Sequence, residues 1–360
     1  MSAVPRAVAP SPAEAALVLL GTGVVGNALL TLLATPAASR LNLVGVANSK
    51  RQVVNPRGVV PSRVAAQLQE VVPGRDDASL LAALDASGAA RRIVIDATAS
   101  ADEAARHADW LAAGYHVVSA NKAATGESLA AWQALQQAGR RGGASYGDAA
   151  TVGAGLPVLS TLRRLRECGD RLLALDGVFS GSLSWLFNQF DGSRPFSALL
   201  REARASGFTE PDPRIDLGGA DVARKLLILA RTAGHALDVA DVEVESLVPP
   251  ALRGIGLDEF LARLEEFDET LEQRRRSAAA DGKRLRFLAR LDERGHARVG
   301  LTEVEPAHPA ARLAGTDNLF ALTTQRYRAQ PLVIQGAGAG PEVTAQALLG
   351  DALIQAAARV

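Results

Sequence analysis

Cysteine is almost absent. Cys168 is the one cysteine in 360 residues, which excludes an intrachain disulfide framework and a multi-cysteine metal site. Its surroundings, RRLRECGD, read as the end of an amphipathic helix, a setting for an incidental thiol rather than an activated one. Histidine is scarce as well: the five are scattered and form no HExxH pair. His116, in GYHVVSA, reads as a strand start. Net charge is missing too. Lys plus Arg and Asp plus Glu both number 39, so no electrostatic bias draws the chain to nucleic acid or to an anionic membrane. One uncharged run, residues 15–34, has the length of a targeting or membrane-spanning segment. Three glycines at a functional spacing interrupt it, and the segments after it continue its fold. It is therefore read as part of a folded domain, and the expected location is cytoplasmic. Residues 1–12, rich in Ala, Pro and Ser, are expected to form a disordered leader.

What is present is enough for two domains: 360 residues with 48% apolar content. Residues 16–20 are a short apolar strand. Gly21, Thr22, Gly23, Val24, Val25 and Gly26 follow at once, and an apolar helix continues over residues 27–34. This is G-x-G-x-x-G between a strand and a helix, the context that gives the motif meaning. Gly21 permits the tight turn, Gly23 lets a pyrophosphate approach the backbone, and Gly26 lets helix pack on strand. The helix N-terminus offers free N–H groups to phosphate. The second strand, Leu41–Ala47, ends in Asn48, Ser49, Lys50 and Arg51, not in the carboxylate that usually meets the ribose of NAD. Asn48, Lys50 and Arg51 therefore predict NADP(H) in preference to NAD(H). A third strand over residues 93–97 brings Thr98 to the same carboxyl edge. A helix over 102–113 and a strand, His116–Ser119, lead to Lys122, where an ammonium can meet a substrate carboxylate. Alternating strands and helices to about residue 147 predict one doubly wound domain.

The second half is organised around GFTEPDPRIDLGGADVARK, residues 207–225. Glu210, Asp212, Arg214 and Asp216 lie in a segment that Pro211 and Pro213 stiffen into a loop. A helix then follows, with Asp221 and Lys225 four apart on one side of it. A carboxylate and an amine on a rigid helix, facing loop carboxylates, can grip and protonate a small polar substrate. Alone, the pair is equally an ordinary surface ion pair. Around this stretch the sequence predicts a helix over 157–167, a strand over 172–179 and, after Ser180, Gly181 and Ser182, a helix over 183–190. Further on come a long charged helix over 257–280 and a hairpin of 284–292 with 297–304. Strands over 319–327 and 331–335 complete a largely antiparallel second sheet. A last helix over 343–359 returns to the first domain. The expected domains are 13–150 with 337–360, and 151–336.

These motifs resemble homoserine dehydrogenase over residues 16–360, and most nearly the homoserine dehydrogenase part of bifunctional aspartokinase–homoserine dehydrogenases. The carriers are GTGVVG at 21–26, NK at 121–122, TVGAGLPV at 151–158, FSGSLSWLFN at 179–188, GFTEPDPR at 207–214, GGADVARKL at 218–226 and GAGAGPEVTA at 336–345. The resemblance implies an α/β fold, a Rossmann-type dinucleotide-binding domain plus an α+β catalytic and dimerisation domain. It implies reversible NAD(P)H-dependent reduction of L-aspartate 4-semialdehyde to L-homoserine. It also implies roles. Lys225 is the acid–base residue, with Lys122 the second lysine. Glu210 and Asp221 hold the substrate, with Ser182 and Asp216 beside them. Gly207 and Gly340 lie against the cofactor. The carbonyls of Val152, Ala154 and Leu156 are ligands of a structural sodium ion, and the chain pairs as a homodimer through the second sheet. Hydride delivered to an aldehyde carbon leaves an alkoxide, which needs a proton or a positive charge nearby.

Three positions depart from the family pattern. Phe208 stands where tyrosine is usual, Ile215 where an acid often precedes Asp216, and Ala149 where a metal-binding carboxylate is common, with Asp148 one residue away. Two other readings stay open. A phosphorylating semialdehyde dehydrogenase needs a thiolate in an activating setting, and Cys168 sits in the wrong context for one. A catalytically silent NADP-binding module would need the glycines but not the set of Glu210, Asp221 and Lys225.

Overall fold

A computed structural model describes residues 14–357, so the expected leader over 1–12 and the end of the last helix lie outside the described residues. The chain divides into two compact units. One holds the chain up to Asn121, then Ala134–Asp148, and the stretch from Thr344 onward. The other holds Lys122–Gln133 and Ala149–Val343.

The first unit is built on β1 (Ala15–Leu20), β2 (Leu41–Ala47), β3 (Gln52–Val54), β4 (Arg91–Asp96), β5 (His116–Ser119) and β6 (Tyr146–Gly147). Their order in the sheet is β3-β2-β1-β4-β5-β6. β1 pairs in parallel with β2 and with β4, and all six of its residues are buried. A strand covered on both faces needs an unbroken apolar run, and AALVLL is one. The antiparallel edge strand β3 was not expected, because three residues carry no readable alternation. The helix expected over 102–113 is instead two, Ala101–Ala105 and His107–Ala112, which meet at Arg106. Polar contacts pull on both residues at the break. The Arg106 guanidinium pairs with Asp77 and Glu103, and the buried His107 ring bonds Asp96 and Tyr146. The closing helix, Pro341–Ala357, packs here: Gln355 Nε2 donates to the Val117 carbonyl at 3.2 Å.

The second unit carries β7 (Leu172–Val178), β8 (Val242–Val244), β9 (Arg284–Asp292), β10 (Ala297–Val304), β11 (Asn318–Thr324) and β12 (Leu332–Gly336), in the order β12-β11-β7-β9-β10-β8. All neighbours are antiparallel except β8, which runs parallel to β10. The hairpin of β9 and β10 turns at Gly295, whose φ is +89°. Alternation sorts the strands' two faces. Leu285, Phe287, Ala289 and Leu291 of β9 join the main core, while Leu288 joins a smaller cluster with Val178, Val304 and Leu319. Most of the phenylalanines gather in the main core: Phe179 stacks on Phe320 at 4.8 Å, and Phe187, Phe196, Phe267 and Phe260 form a chain of ring contacts. The long helix expected over 257–280 is broken into Leu257–Ala262, a tight turn Leu264–Phe267 and Asp268–Ala280. The tighter 3₁₀ winding lines up residues three apart, which lets Leu264 and Phe267 both enter the core.

Residues 122–133, expected in the first domain, pack with the second unit. The helix Ala220–Ala233 holds them there, through Arg231 donating to the carbonyls of Thr125 and Glu127. The second unit thereby contains both lysines of interest.

Candidate active site

The centre of the second unit's polar site is the start of helix Ala220–Ala233. Gly219 precedes it with a φ of +75°, and a Cβ there would press on Phe287, Val299 and Val244 of the sheet. Glycine thus lets the helix begin hard against the strands. Val222, Leu226, Leu229 and Ala230 are buried. Asp221 and Lys225 project one turn apart, and Lys225 Nζ lies 2.8 Å from Asp221 Oδ2. Lys122 Nζ lies 3.3 Å from the other oxygen, Oδ1. One carboxylate thus bridges two ammonium groups.

Lys225 is 9% exposed. Its Nζ also donates to the Phe179 carbonyl at 2.7 Å. That carbonyl is fixed because the Phe179 ring is buried, stacks on Phe320 and folds back over Gly177, where a Cβ would come within 2.0 Å of it. Burial pushes the Lys225 ammonium below its ordinary range, Asp221 pulls it back up, and Lys122 adds repulsion. For Asp221, burial acts to raise the carboxyl, but Lys225 and then Lys122 outweigh it and hold it at about 2.

The loop before the helix is built to hold Asp216. Arg214 forks onto Asp212 with contacts of 2.7 to 3.1 Å, donates to the Ile255 carbonyl at 2.7 Å and lies over the Phe260 ring. A forked Arg–carboxylate contact is rigid as well as strong. Residues expected to be loop throughout include one helical turn, Arg214–Leu217. Asp216, within that turn, accepts from Ser182 Oγ at 2.6 Å and from the Glu210 N–H at 2.9 Å. Ser182 in turn bonds Ser180 at 2.8 Å. The Glu210 side chain is exposed and makes no ion pair among the described residues. Of the departures, Phe208 is exposed and packs against Trp185 at 5.4 Å, and Ile215 is exposed.

In the first unit the glycine turn has the expected sterics. Gly21 has a φ of +96°, a Cβ on Gly26 would fall 2.0 Å from the Gly21 carbonyl oxygen, and a Cβ on Gly23 would meet nothing. Helix Val24–Leu33 starts without a side-chain cap or an acid in its first turn. Its first N–H groups, at Val24 and Val25, and the open side of Gly23 therefore fit a pyrophosphate. At the end of β2, Asn48 Oδ1 accepts from the N–H groups of Lys50 and Arg51 at 2.9 and 2.8 Å. The Lys50 side chain is exposed. Arg51 does not share that freedom: its Nη1 donates to the Leu68 carbonyl at 3.1 Å, at the end of helix Val64–Glu70. Thr98 bonds Asp96 through its N–H at 2.8 Å. Asp96 is wholly buried and also holds Asn121 Nδ2 and His107 Nε2, each at 3.0 Å.

The remaining predicted residues are scattered. Gly207 and Gly340 have φ of +71° and +130°, and a Cβ on Gly207 would meet nothing. The chain turns sharply at 152–156, where Gly153 has a φ of +74° and Ala154, with +51°, is the one non-glycine in that region among the described residues. Val152 and Ala154 are buried, and the Leu156 carbonyl accepts from the Val158 N–H at 2.9 Å. Sequence reasoning missed the Phe179 carbonyl, a backbone group without a signature, and Arg231. An arginine amid LLILA on an apolar helix was the one available sign of the latter.

Residues 157–353 match the family model for homoserine dehydrogenase, and residues 21–146 match the one for the homoserine dehydrogenase NAD binding domain. The chain is 38% identical over 351 residues to homoserine dehydrogenase of Saccharomyces cerevisiae, covering 93% of this chain and 96% of that one. It is 40% identical over 347 residues to the chloroplastic bifunctional aspartokinase/homoserine dehydrogenase 1 of Zea mays, covering 93% of this chain; it spans 38% of that protein's length. A solved structure of a protein of unknown function from Candida auris superposes with a TM-score of 0.88 at 34% identity, covering 95% of this chain and 98% of that one.

Proposed function

The chain belongs to the homoserine dehydrogenase family, and on that footing we propose that it interconverts L-aspartate 4-semialdehyde and L-homoserine, using NADP(H) in preference to NAD(H). The observation that carries the reading is the buried Lys225, hydrogen-bonded to a fixed carbonyl and paired with an aspartate that a second lysine shares.

The nicotinamide supplies or accepts the hydride when bound. Backbone of Gly21, Gly23, Val24, Val25 and Gly26 holds the pyrophosphate, and Thr98 lines the same edge. Lys225 gives a proton to the oxygen that hydride delivery leaves negative, and takes one from the homoserine hydroxyl in the reverse direction. A lysine whose ammonium is destabilised by burial suits both directions. Asp221 orients the two lysines and meets the hydroxyl end of the substrate. Glu210, with no ion pair among the described residues, is available to the substrate ammonium, and Lys122 to its carboxylate. Asp216 and Ser182 brace the loop that presents Glu210.

Absorbance at 340 nm with homoserine and NADP+ tests the activity: turnover is expected, and its absence with both NADP+ and NAD+ sinks the reading. The cofactor preference rests on Lys50 and on the lack of a carboxylate at the end of β2; a higher kcat/KM with NAD+ would overturn it. The carbonyls of Val152, Ala154 and Leu156 are hard donors suited to a sodium ion, and a Tm insensitive to exchange of sodium for a bulky organic cation would count against that site. β12 is an edge strand with Val333 exposed, and exposed edges are usually paired. A homodimer of twice 37.5 kDa follows; light scattering that reports an active monomer refutes it. No described helix is long and apolar enough to cross a membrane. An exposed unpaired thiol at Cys168 suits a cytoplasmic location, which cell fractionation tests. Cys168 lies at the C-terminal end of helix Val158–Glu167, outside the acid–lysine cluster. That setting disfavours the phosphorylating alternative, just as the assembled cluster disfavours a silent module.

A further inference from the structure

Arg231 is 1% exposed, and it spends its donors on carbonyls. Nη1 donates to Thr125 O at 2.6 Å and Nη2 to Glu127 O at 2.7 Å. Nε and Nη2 donate to Leu237 O at 3.1 and 3.0 Å. The nearby carboxylates are committed elsewhere. Glu127 pairs with Arg224 at 2.8 Å, and Asp238 accepts from the N–H groups of Val239 and Leu129. A buried guanidinium bonded to no carboxylate is costly, and an apolar side chain would fill this helix face at less cost.

What the guanidinium does is join two segments. The carbonyls of Thr125 and Glu127 lie at the C-terminal end of the short helix Ala123–Gly126, whose N-cap residue is Lys122. The planar Arg231 guanidinium meets them with two separate nitrogens in a fixed geometry, which the single nitrogen of a lysine does not offer. Helix Ala220–Ala233 carries Arg231, Asp221 and Lys225. The two segments touch closely at Gly126, where a Cβ would fall 2.3 Å from Arg224 Cγ and 3.4 Å from Ile228 Cδ1. A cation at the end of a helical turn also favours that turn electrostatically.

We propose that Arg231 is a positioning residue that caps the Lys122 turn and so sets the Lys122 ammonium against Asp221. The clamp itself is a statement about structure; its effect on turnover rests on the dehydrogenase reading. Lys225 is faced by Asp221 on its own helix, by Lys122 from the clamped turn and by Asp216 from the loop. Burial is the largest influence against the Lys225 ammonium and Lys122 adds to it, so releasing Lys122 raises the pH at which Lys225 becomes a free base.

Two measurements on the full chain test this. In hydrogen exchange read by mass spectrometry, Arg231→Met should speed exchange of amides 123–129 roughly tenfold, with the first turns of helix Ala220–Ala233 unchanged. Unaltered exchange over 123–129 overturns the clamp, whether or not the enzyme turns over. In kinetics, Lys122→Met, Arg231→Met and the double variant form a cycle. Arg231→Met should lower kcat for homoserine oxidation by roughly 10- to 100-fold and move the rise of the pH profile to higher pH, as Lys122→Met does. The double variant should be no worse than Lys122→Met, and losses that multiply overturn the proposal. If Arg231→Met fails to fold, Arg231→Lys in both backgrounds runs the same cycle: it keeps the buried cation, gives up the fork and should show a smaller version of the same shift. A folded wild-type chain without turnover sinks the dehydrogenase reading and leaves the exchange experiment to judge the clamp.

Discussion

Around Gly21–Gly26 the chain removes side chains; around Glu210–Lys225 it crowds charged ones together. In the first region the contacts that matter are between backbone atoms, such as the close approach of Gly26 to the Gly21 carbonyl oxygen. What a ligand meets there is an open surface at Gly23 and uncapped N–H groups. In the second region the working groups are held by one another: Lys225 by Asp221 and the Phe179 carbonyl, Lys122 by Asp221, Asp216 by Ser182 and the Glu210 N–H. The difference shows two ways of preparing a site in advance. Dipoles that suit a phosphate cost nothing to leave exposed. Charges that suit a reacting oxygen must be paired until they are used.

The comparison breaks most sharply at Lys225. Lys225→Ala should lower kcat for homoserine oxidation by roughly 100- to 10,000-fold and leave the affinity for NADP+ in a fluorescence titration nearly unchanged. It removes the proposed proton acceptor and touches none of the glycine turn. Wild-type-like turnover in a folded variant would remove Lys225 from the chemistry. A parallel loss of NADP+ binding would show that the two regions do not act independently.

The glycines sharpen the other side. Gly26→Ala places a methyl 2.0 Å from a backbone oxygen, where only movement of the main chain gives relief. Overpacking of this sort costs about 1–3 kcal/mol, so a lower Tm is expected even without cofactor. Gly23→Ala adds a methyl into open space. Its Tm should stay close to wild type, while KM for NADP+ should rise roughly tenfold if that space receives the pyrophosphate, as proposed. Equal Tm losses in both variants would mean that Gly23 serves the fold and not the ligand.

How far these regions could be read beforehand follows from the same contrast. Glycine spacing reports backbone geometry directly, so the turn, β1 and the parallel sheet were legible in GTGVVG and AALVLL. So was the β9–β10 hairpin, whose turn needs a positive φ at Gly295. The residue types of the charged cluster were legible as well, but their pairings were not. Nothing in the spacing of Lys122 and Asp221 says that they meet, because the meeting depends on Arg231 tying a distant turn to the helix. Arg51 shows the converse. A cation in the right place in the sequence proved to be engaged with the Leu68 carbonyl, since a helix end nearby needed a donor. The helix breaks at Arg106 and Leu264 were hidden because tertiary contacts, not helix-breaking residues, cause them.

The smallest effects separate the two acids of the charged region. Asp221 is bonded to both lysines, whereas the Glu210 carboxylate has no ion pair among the described residues and only its N–H is tied down. Glu210→Gln keeps the size and loses the charge. If Glu210 serves the substrate ammonium, the loss falls equally on ground and transition states, so KM for homoserine should rise, by roughly tenfold, with kcat nearly constant. The pH profile should not move. Asp221→Asn should instead lower kcat, because the two ammonium groups then repel each other without a bridge. It should also shift the profile. On the proposed reading, oxidation speeds up as pH rises through the pKa of Lys225, the free amine being the base. Asp221 favours the ammonium form, so removing its charge moves that rise to lower pH, opposite to the shift expected from Arg231→Met. Stability adds a second check. The Asp221 carboxyl is held at about 2 in the folded chain, below the usual value of about 3.9, so its contribution is present above that usual value and is lost as pH falls towards the lower one. The side chain is 47% exposed, and solvent screening makes the contribution small. Asp221→Asn should therefore slightly flatten the acid limb of an unfolding curve in that window. Steady-state kinetics across pH with saturating cofactor decides the main point: two variants that change only KM, or that both shift the profile, would show that the acids share one task.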